Sequence, residues 1–260
     1  MTSPKVITTT KNAIQIVTIS RPAVRNAVDN ETAEALAAAF RAFDTDPTLR
    51  VAIFTGAGSH FCAGADLNEM ASGARRKRWR ESTDGPMGPT RLSLSKPVIG
   101  AIEGYAVAGG LELALWCDLR VAADNSVFGV FNRRWGVPLM DGGTVRLPRL
   151  VGVGRALEIA LTGRPVHAEE ALRIGLVTEL TPPSAALQRA IELAETLAAL
   201  PQDALNLDRK SIYRQVGLSL EEAMEAEFRD SLAARGVESG AARFVQAAGR
   251  HGSSDTGQSD

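Results

Sequence analysis

The sequence has few of the residues that mark disulfide-rich, metal-binding or strongly charged proteins. Its 260 residues include two cysteines, Cys62 and Cys117, and three histidines. Two cysteines cannot form a disulfide framework, and no cysteine or histidine spacing here is typical of a zinc site. The formal net charge is −1, so the chain as a whole offers no basic field for nucleic acid. We therefore expect no metal and no nucleic-acid partner.

Long uninterrupted apolar runs are also missing. The first ten residues lack the apolar core of a signal peptide. The most hydrophobic stretch, residues 97–123, contains Glu103, Glu112, Asp118 and Arg120, so it cannot be a continuous membrane span. With 45% hydrophobic and 23% charged residues, the chain can bury a sizeable core. We predict a soluble cytoplasmic protein that does not bind a membrane.

Short strand-like runs alternate with helical patterns along the first part of the chain. The predicted strands are residues 6–9, 14–20, 51–55, 97–102, 121–123, 126–130 and 177–180. A helix capped by Asp29 or Asn30 follows the first two, and the pattern from residue 183 onward is almost wholly helical. This alternation indicates an α/β fold.

The same patterns divide the chain into regions. We predict a core over residues 1–200, a helical region over residues 201–248 and a disordered tail over residues 249–260. The one dense charge block consists of Arg75, Arg76, Lys77, Arg78 and Arg80, and a solvated helix face is its favoured interpretation.

Three common enzyme classes lack their motifs in this chain. Gly152 and Gly154 are followed by a large residue at the third small position of the dinucleotide fingerprint, and they do not follow a strand. The sequence also contains no GxxxxGK[ST] phosphate loop and no GxSxG nucleophile elbow. Hydride transfer, nucleotide hydrolysis and serine esterase chemistry therefore have no support in the sequence.

Two small-residue segments predict an anion site. Residues 104–118 read GYAVAGGLELALWCD, in which a buried strand ends and a helix begins near Gly109 with its first N–H groups unpaired. The segment 61–67, FCAGADL, follows another buried strand in the same way. One N–H from each segment around a single oxygen would stabilise negative charge on a carbonyl or thioester oxygen.

Glu112 lies one helical turn after Gly109, so its carboxyl group faces the same cleft. A carboxyl group beside an oxyanion site suits acid or base catalysis. A first-turn glutamate also complements a helix N-terminus without any catalytic role. The residues by themselves leave both interpretations open.

These segments, together with the later SVFG, WGVP, DGGT and RLPR blocks, resemble the crotonase superfamily, the enoyl-CoA hydratase/isomerases. The resemblance runs from the opening hairpin to about Ala248. It implies a spiral of ββα units, a C-terminal helical trimerisation region, and assembly as a homotrimer or a hexamer. It also implies acyl-CoA thioester substrates, with coenzyme A as part of the substrate and no separate cofactor.

Site residues carry over from the resemblance by position. The oxyanion donors would be the N–H groups of Ala65 and Gly109, and Glu112 falls at the first catalytic glutamate of the hydratases. Phe244 resembles an aromatic residue that approaches the coenzyme A of a neighbouring subunit. The positions that would line the coenzyme A and acyl path are Arg25, Ala27, Ala63, Asp66, Leu67 and Asn132.

The chain departs from the family at the second catalytic glutamate, where it has Asn132. Asparagine cannot exchange a proton at neutral pH, whereas hydration is commonly assigned to two carboxyl groups. Asp141, nine residues later, is either a displaced second acid/base or the cap of the helix that begins near Gly142. Hydration is the favoured activity. The alternatives are an isomerase, lyase or decarboxylase that uses Glu112 alone, or a non-catalytic coenzyme A-binding protein.

Overall fold

The computed structural model describes residues 3–73, 75, 83–232, 234 and 236–245. The chain divides into two compact units, with the boundary between Ala198 and Ala199. Arg75 of the charge block is described, whereas Arg76, Lys77, Arg78 and Arg80 lie outside the described residues. The predicted disordered tail, residues 249–260, also lies outside them.

The first unit contains a six-stranded sheet in the order β1-β2-β3-β4-β6-β9. Only the opening hairpin is antiparallel, and Asn12 in its turn has a φ of 54°. The other neighbours pair in parallel, and the central strands are buried along almost their full length because helices cover a parallel sheet on both faces. The strands are β1 (Val6–Lys11), β2 (Ile14–Ile19), β3 (Val51–Gly56), β4 (Val98–Ile102), β6 (Leu119–Ala123) and β9 (Glu179–Thr181).

A second sheet of three short strands has the order β5-β7-β8. Its strands are β5 (Tyr105–Val107), β7 (Val127–Gly129) and β8 (Val166–His167). The strands β5 and β8 were not predicted from the sequence. Runs of two or three residues are too short for an alternating pattern, and β5 lies inside the glycine-rich segment that predicted only a loop.

Helices begin at the predicted positions near residues 30, 109 and 142 and dominate the chain after residue 183, whereas the helices Val153–Thr162 and Ala168–Arg173 were not predicted. Asp29 is the residue that caps the first helix, by accepting a hydrogen bond from the Thr32 N–H. In the first unit they are α1 (Asn30–Thr45), α2 (Leu67–Ala71), α3 (Gly109–Trp116), α4 (Gly143–Val151), α5 (Val153–Thr162), α6 (Ala168–Arg173) and α7 (Ala186–Ala199). In the second unit they are α8 (Gln202–Arg214), α9 (Leu220–Ser231) and α10 (Val237–Val245). No helix among the described residues is long and apolar enough to cross a membrane.

An aromatic cluster in the core holds the segment that follows β3. Phe54 lies on β3, and its ring meets Phe61 at 5.3 Å between centroids in an edge-to-face contact. Phe40 of α1 contacts both Phe54, at 5.2 Å, and Trp116, at 4.8 Å. Edge-to-face pairs of this kind add about 0.5–1.5 kcal/mol beyond the area they bury. Phe61 therefore anchors the start of the 61–67 segment in the core.

Arg75 corrects the interpretation of the charge block as a solvated face. Its side chain is 1% exposed, and its guanidinium donates hydrogen bonds to the Val28 and Pro86 carbonyl oxygens. The two carbonyl oxygens accept from both Nη atoms of the buried guanidinium, an environment that the charge density of the sequence does not reveal.

Candidate active site

The two small-residue segments lie in direct contact. The Cys62 N–H donates to the Tyr105 carbonyl oxygen at 2.9 Å, and the Val107 N–H donates to the Cys62 carbonyl oxygen at 3.1 Å. Gly64 has a φ of +99°, and a Cβ atom added to it would lie 3.0 Å from the Gly109 nitrogen. Only glycine permits this approach, which brings Ala65 and Gly109 to the same cavity.

The backbone of each segment turns one N–H group away from other acceptors. Ala65 pairs with Val28 through a parallel bridge that uses the Gly64 carbonyl oxygen and the Asp66 N–H, so the N–H of Ala65 points to the opposite side. Gly109 is the first residue of α3, and Ala108 before it has a φ of 53°, a strained conformation of the kind that collects at functional sites. Neither N–H is donated to any acceptor within the described residues.

Glu112 lies on the first turn of α3 and is 3% exposed. Its Oε1 accepts hydrogen bonds from the N–H groups of Asp141 and Gly143, each at 2.8 Å. Both bonds end on Oε1, and Glu112 lines the cavity. Burial, and secondly the charge of Asp141, raise the pKa of Glu112 to about 7, against the opposing effect of backbone hydrogen bonds from Gly143, Asp141 and Met140.

Asp141 is a second buried carboxyl group in the same cavity, at 4% exposed. Its Oδ1 accepts hydrogen bonds from the Met87 N–H, at 2.9 Å, and from the Thr90 hydroxyl group. Because both bonds end on Oδ1, Oδ2 is left for the cavity. Burial raises the pKa of Asp141, although the Thr90 and Met87 donors and the charges of two arginines oppose the shift.

The interpretation of Asp141 as a helix cap is wrong. The N-cap of α4 is Gly142, in the left-handed conformation at φ 91°, and no side chain caps this helix. The Asp141 carboxyl group points instead to the segment 85–91, and its backbone N–H holds Glu112. Asp141 therefore binds the segment 85–91 through its carboxyl group and the Glu112 carboxyl group through its backbone N–H.

Asn132 lies in the cavity wall on a 3₁₀ helix, Phe131–Trp135, and is 9% exposed. Its Nδ2 donates to the Val137 carbonyl oxygen at 2.7 Å, and its Oδ1 is buried without a donor among the described residues. The carboxylate of a glutamate has no proton to donate to Val137, so the amide closes this turn in a way that the usual family residue would not.

These residues surround one cavity of about 640 Å³, counting the space at its open mouth. Of the predicted site residues, the cavity brings together Ala63, Ala65, Leu67, Gly109, Glu112, Asn132 and Asp141.

Four predicted binding residues lie outside the lining of this cavity. The Arg25 carbonyl oxygen accepts a hydrogen bond from the N–H of Ala63, which lines the cavity. The Arg25 guanidinium lies 5.9 Å from the Tyr105 ring centroid. Asp66 caps α2 and accepts a hydrogen bond from Arg21 at 3.1 Å. Ala27 precedes the bridge residue Val28, and Phe244 lies on α10 of the second unit. Their contact with coenzyme A stays a prediction.

The structure adds residues that the sequence analysis did not select. Met87 packs over Gly109, since a Cβ atom on Gly109 would lie 2.7 Å from the Met87 sulfur. Met70, Met140 and Trp135 also line the cavity. The sequence around Met87, Gly85-Pro-Met-Gly-Pro89, signals a turn but has no periodicity that would place it beside α3.

Comparison with known proteins agrees with this geometry. A family model described as Enoyl-CoA hydratase/isomerase matches residues 9–247. Enoyl-CoA hydratase EchA19 of Mycobacterium tuberculosis is 39% identical over 191 residues, 71% of this chain and 71% of that protein. The short-chain-enoyl-CoA hydratase of Clostridium acetobutylicum is 35% identical over 224 residues, 85% of this chain and 86% of that protein.

The crystal structure of enoyl-CoA hydratase EchA1 from Mycobacterium marinum superposes with a TM-score of 0.87 at 36% identity and covers 94% of this chain and 97% of its own. Two unpaired N–H groups beside a buried carboxyl group are an arrangement that suits the stabilisation of negative charge on an oxygen atom. The chain belongs to the enoyl-CoA hydratase/isomerase family. The crotonase-like α/β fold predicted from the sequence is thereby confirmed.

Substitution of Gly64 tests the contact between Gly64 and Gly109. Gly64→Ala places a methyl group against the Gly109 nitrogen and displaces one of the two donors, so we expect kcat to fall about 10²-fold or more. Gly217→Ala is the matched control, because Gly217 has a φ of +91° and no atom within 4 Å of an added Cβ. A side chain in the left-handed conformation costs about 1–3 kcal/mol of stability in both variants. Thermal unfolding of the two variants measures this loss. Equal turnover in the two variants would contradict the assignment of Gly109 as a donor.

Proposed function

We propose that this chain is an enoyl-CoA hydratase, which adds water across the C2=C3 bond of a 2-enoyl thioester. One observation carries the proposal: two buried carboxyl groups, Glu112 and Asp141, line the cavity that also contains the unpaired N–H groups of Ala65 and Gly109. Hydration needs an acid, a base and a site for the enolate oxygen, and these four residues supply all three.

The reaction uses each group once. The oxygen of water bonds to C3, one proton of the water passes to an ionised carboxylate, and the electrons of the double bond move to the thioester oxygen. The N–H groups of Ala65 and Gly109 bind this oxygen more strongly as its negative charge develops. A protonated carboxyl group then delivers a proton to C2, and the thioester carbonyl re-forms.

A pair of carboxyl groups that holds one proton provides both the acid and the base. Each charge disfavours ionisation of the other, and the charge of Asp141 contributes to the raised pKa of Glu112. Between the two apparent pKa values of the pair, one group is protonated and the other is ionised. Asn132 does not take part in proton transfer, because an amide does not titrate and its Nδ2 is bound to Val137.

Substitution of Glu112 tests the proposal directly. Glu112→Gln keeps the shape of the side chain but removes its exchangeable proton, so we expect kcat to fall about 10²-fold or more with thioester binding retained. Glu169→Gln is the control, since Glu169 is also a first-turn glutamate of a helix and is exposed. Water addition to crotonyl-CoA is monitored as the decrease in absorbance of the enoyl thioester. If both variants keep wild-type turnover, Glu112 only complements its helix and the non-catalytic alternative gains.

Asp141→Asn separates a two-carboxyl mechanism from one that uses Glu112 alone. For the wild-type protein, kcat/KM falls as pH rises through about 7, because the pair then loses its last proton. Loss of the Asp141 charge lowers the pKa of Glu112, so this limb moves to lower pH in the variant, and kcat falls about 10²-fold or more. An unchanged pH profile with reduced thermal stability would mark Asp141 as a structural residue and favour isomerisation by one base.

We also propose that the chain assembles as a homotrimer or a hexamer. The helices α8 and α9 and the turn between them carry exposed apolar side chains, namely Ile212, Tyr213, Val216, Leu220, Met224 and Phe228. Apolar surface on helices is stabilised when a neighbouring subunit covers it. We expect light scattering at micromolar concentration to give three or six times the 27.6 kDa chain mass. A monomeric mass would rule this assembly out.

A further inference from the structure

The cavity wall has an unusual composition for a protein with so few aromatic and sulfur-containing residues. Aromatic residues make up 5% of the chain, which contains five methionines. Met70, Met87 and Met140 nevertheless all line the cavity, together with Phe131 and Trp135. Of the branched aliphatic residues that the structure describes, only Leu67 and Val137 contribute to the lining. Thioether and aromatic side chains therefore supply most of the large apolar side chains of the wall.

Trp135 is the most exposed of these side chains, at 71%, so it lies at the mouth of the cavity. Two hydrogen bonds hold the turn that carries it: Asn132 Nδ2 to the Val137 carbonyl oxygen at 2.7 Å, and the Val137 N–H to the Asn132 carbonyl oxygen at 3.2 Å. Gly136 completes the turn in the left-handed conformation at φ 68°. The indole ring is thus presented from a closed turn.

The neighbouring arginines fix the same turn from outside. The Arg133 Nε donates to the Ala160 carbonyl oxygen at 3.4 Å, and an Arg134 Nη donates to the Gly163 carbonyl oxygen at 3.4 Å. The Arg134 guanidinium also lies 4.1 Å from the Phe131 ring centroid. These contacts tie both ends of the turn to α5 and the residues after it. A turn that is held in place limits the positions open to the side chain it carries, so less conformational freedom is lost when a ligand packs on it.

We propose that this wall selects thioesters whose acyl group ends in an aromatic ring, with Trp135 as a specificity-determining residue and Asn132 as a positioning residue. The proposal rests on the function proposed above, because it concerns the acyl group of the thioester that this cavity would bind. Aromatic rings pair favourably with other rings and with thioether sulfur, whereas a linear alkyl chain gains only buried area. Unbranched methionine side chains also adapt to the shape of a bulky ring.

The replacement of the second family glutamate fits this assignment. Asn132 donates the hydrogen bond that closes the Trp135 turn, which a carboxylate cannot do. The second carboxyl group of the mechanism is meanwhile supplied by Asp141. The residue at position 132 is thus free to shape the wall of the cavity.

The test compares two substrates of similar length, 5-phenylpent-2-enoyl-CoA and non-2-enoyl-CoA. For the wild-type protein we expect a kcat/KM ratio of about 2–10 in favour of the phenyl substrate, the size of an aromatic pairing preference. Trp135→Leu keeps an apolar side chain but removes the ring, so the ratio falls to about 1. Trp135→Phe retains a ring and keeps most of the preference. Leu161→Ala is the matched control, because Leu161 is equally exposed at 71% but lies outside the cavity lining, so it keeps the wild-type ratio.

Binding of the saturated analogues, measured by calorimetry, separates this proposal from the proposed function. A preference for 5-phenylpentanoyl-CoA that Trp135→Leu abolishes supports the selection of aromatic groups even if neither enoyl thioester is hydrated. Equal affinity for the phenyl and linear analogues overturns it while leaving hydration intact. A preference that persists in Trp135→Leu overturns the proposal too. A preference that is lost together with the oligomer, as shown by light scattering, also overturns it.

Discussion

A carboxyl group buried beside an open cavity is the constraint on which the site depends. At 3% exposed, Glu112 requires hydrogen-bond donors, and it finds them in the backbone of residues 141 and 143. Gly143 has to lack a side chain, because a Cβ atom there would lie 3.0 Å from Glu112 Oε1. The same backbone carries Asp141, whose carboxyl group in turn holds the segment with Met87 and Thr90. One buried charge thus organises three separate parts of the chain.

The oxyanion donors depend on a second close contact, between two loops that leave neighbouring parallel strands. Strands β3 and β4 pair in parallel, so the segments that follow them begin at the same edge of the sheet. Phe61 anchors one segment in the aromatic core, and the bridge between Cys62 and Ala106 joins it to the other. The approach of Gly64 to Gly109 then sets the spacing of the two N–H groups.

Most of the architecture and part of the site follow from the sequence. Buried strands, helical periodicity and the cap at Asp29 are local patterns, and the glycine-rich helix start at Gly109 is predictable from the needs of the backbone. The sequence left Asp141 open between an acid/base and a helix cap, because its partners, Met87 and Thr90, are more than fifty residues away in the chain. Arg75 was interpreted as part of a solvated face, because only the fold brings its guanidinium to the Val28 and Pro86 carbonyl oxygens.

The two unpaired N–H groups of Ala65 and Gly109 have a consequence for the evolution of this chain. A backbone donor without an acceptor is a weakness in the folded protein, and any substitution that supplied an acceptor from a nearby side chain would make the fold more robust. That same acceptor would occupy the place of the substrate oxygen. Selection for stability and selection for turnover therefore act in opposite directions at these two positions, and thermal tolerance has to be improved elsewhere in the chain.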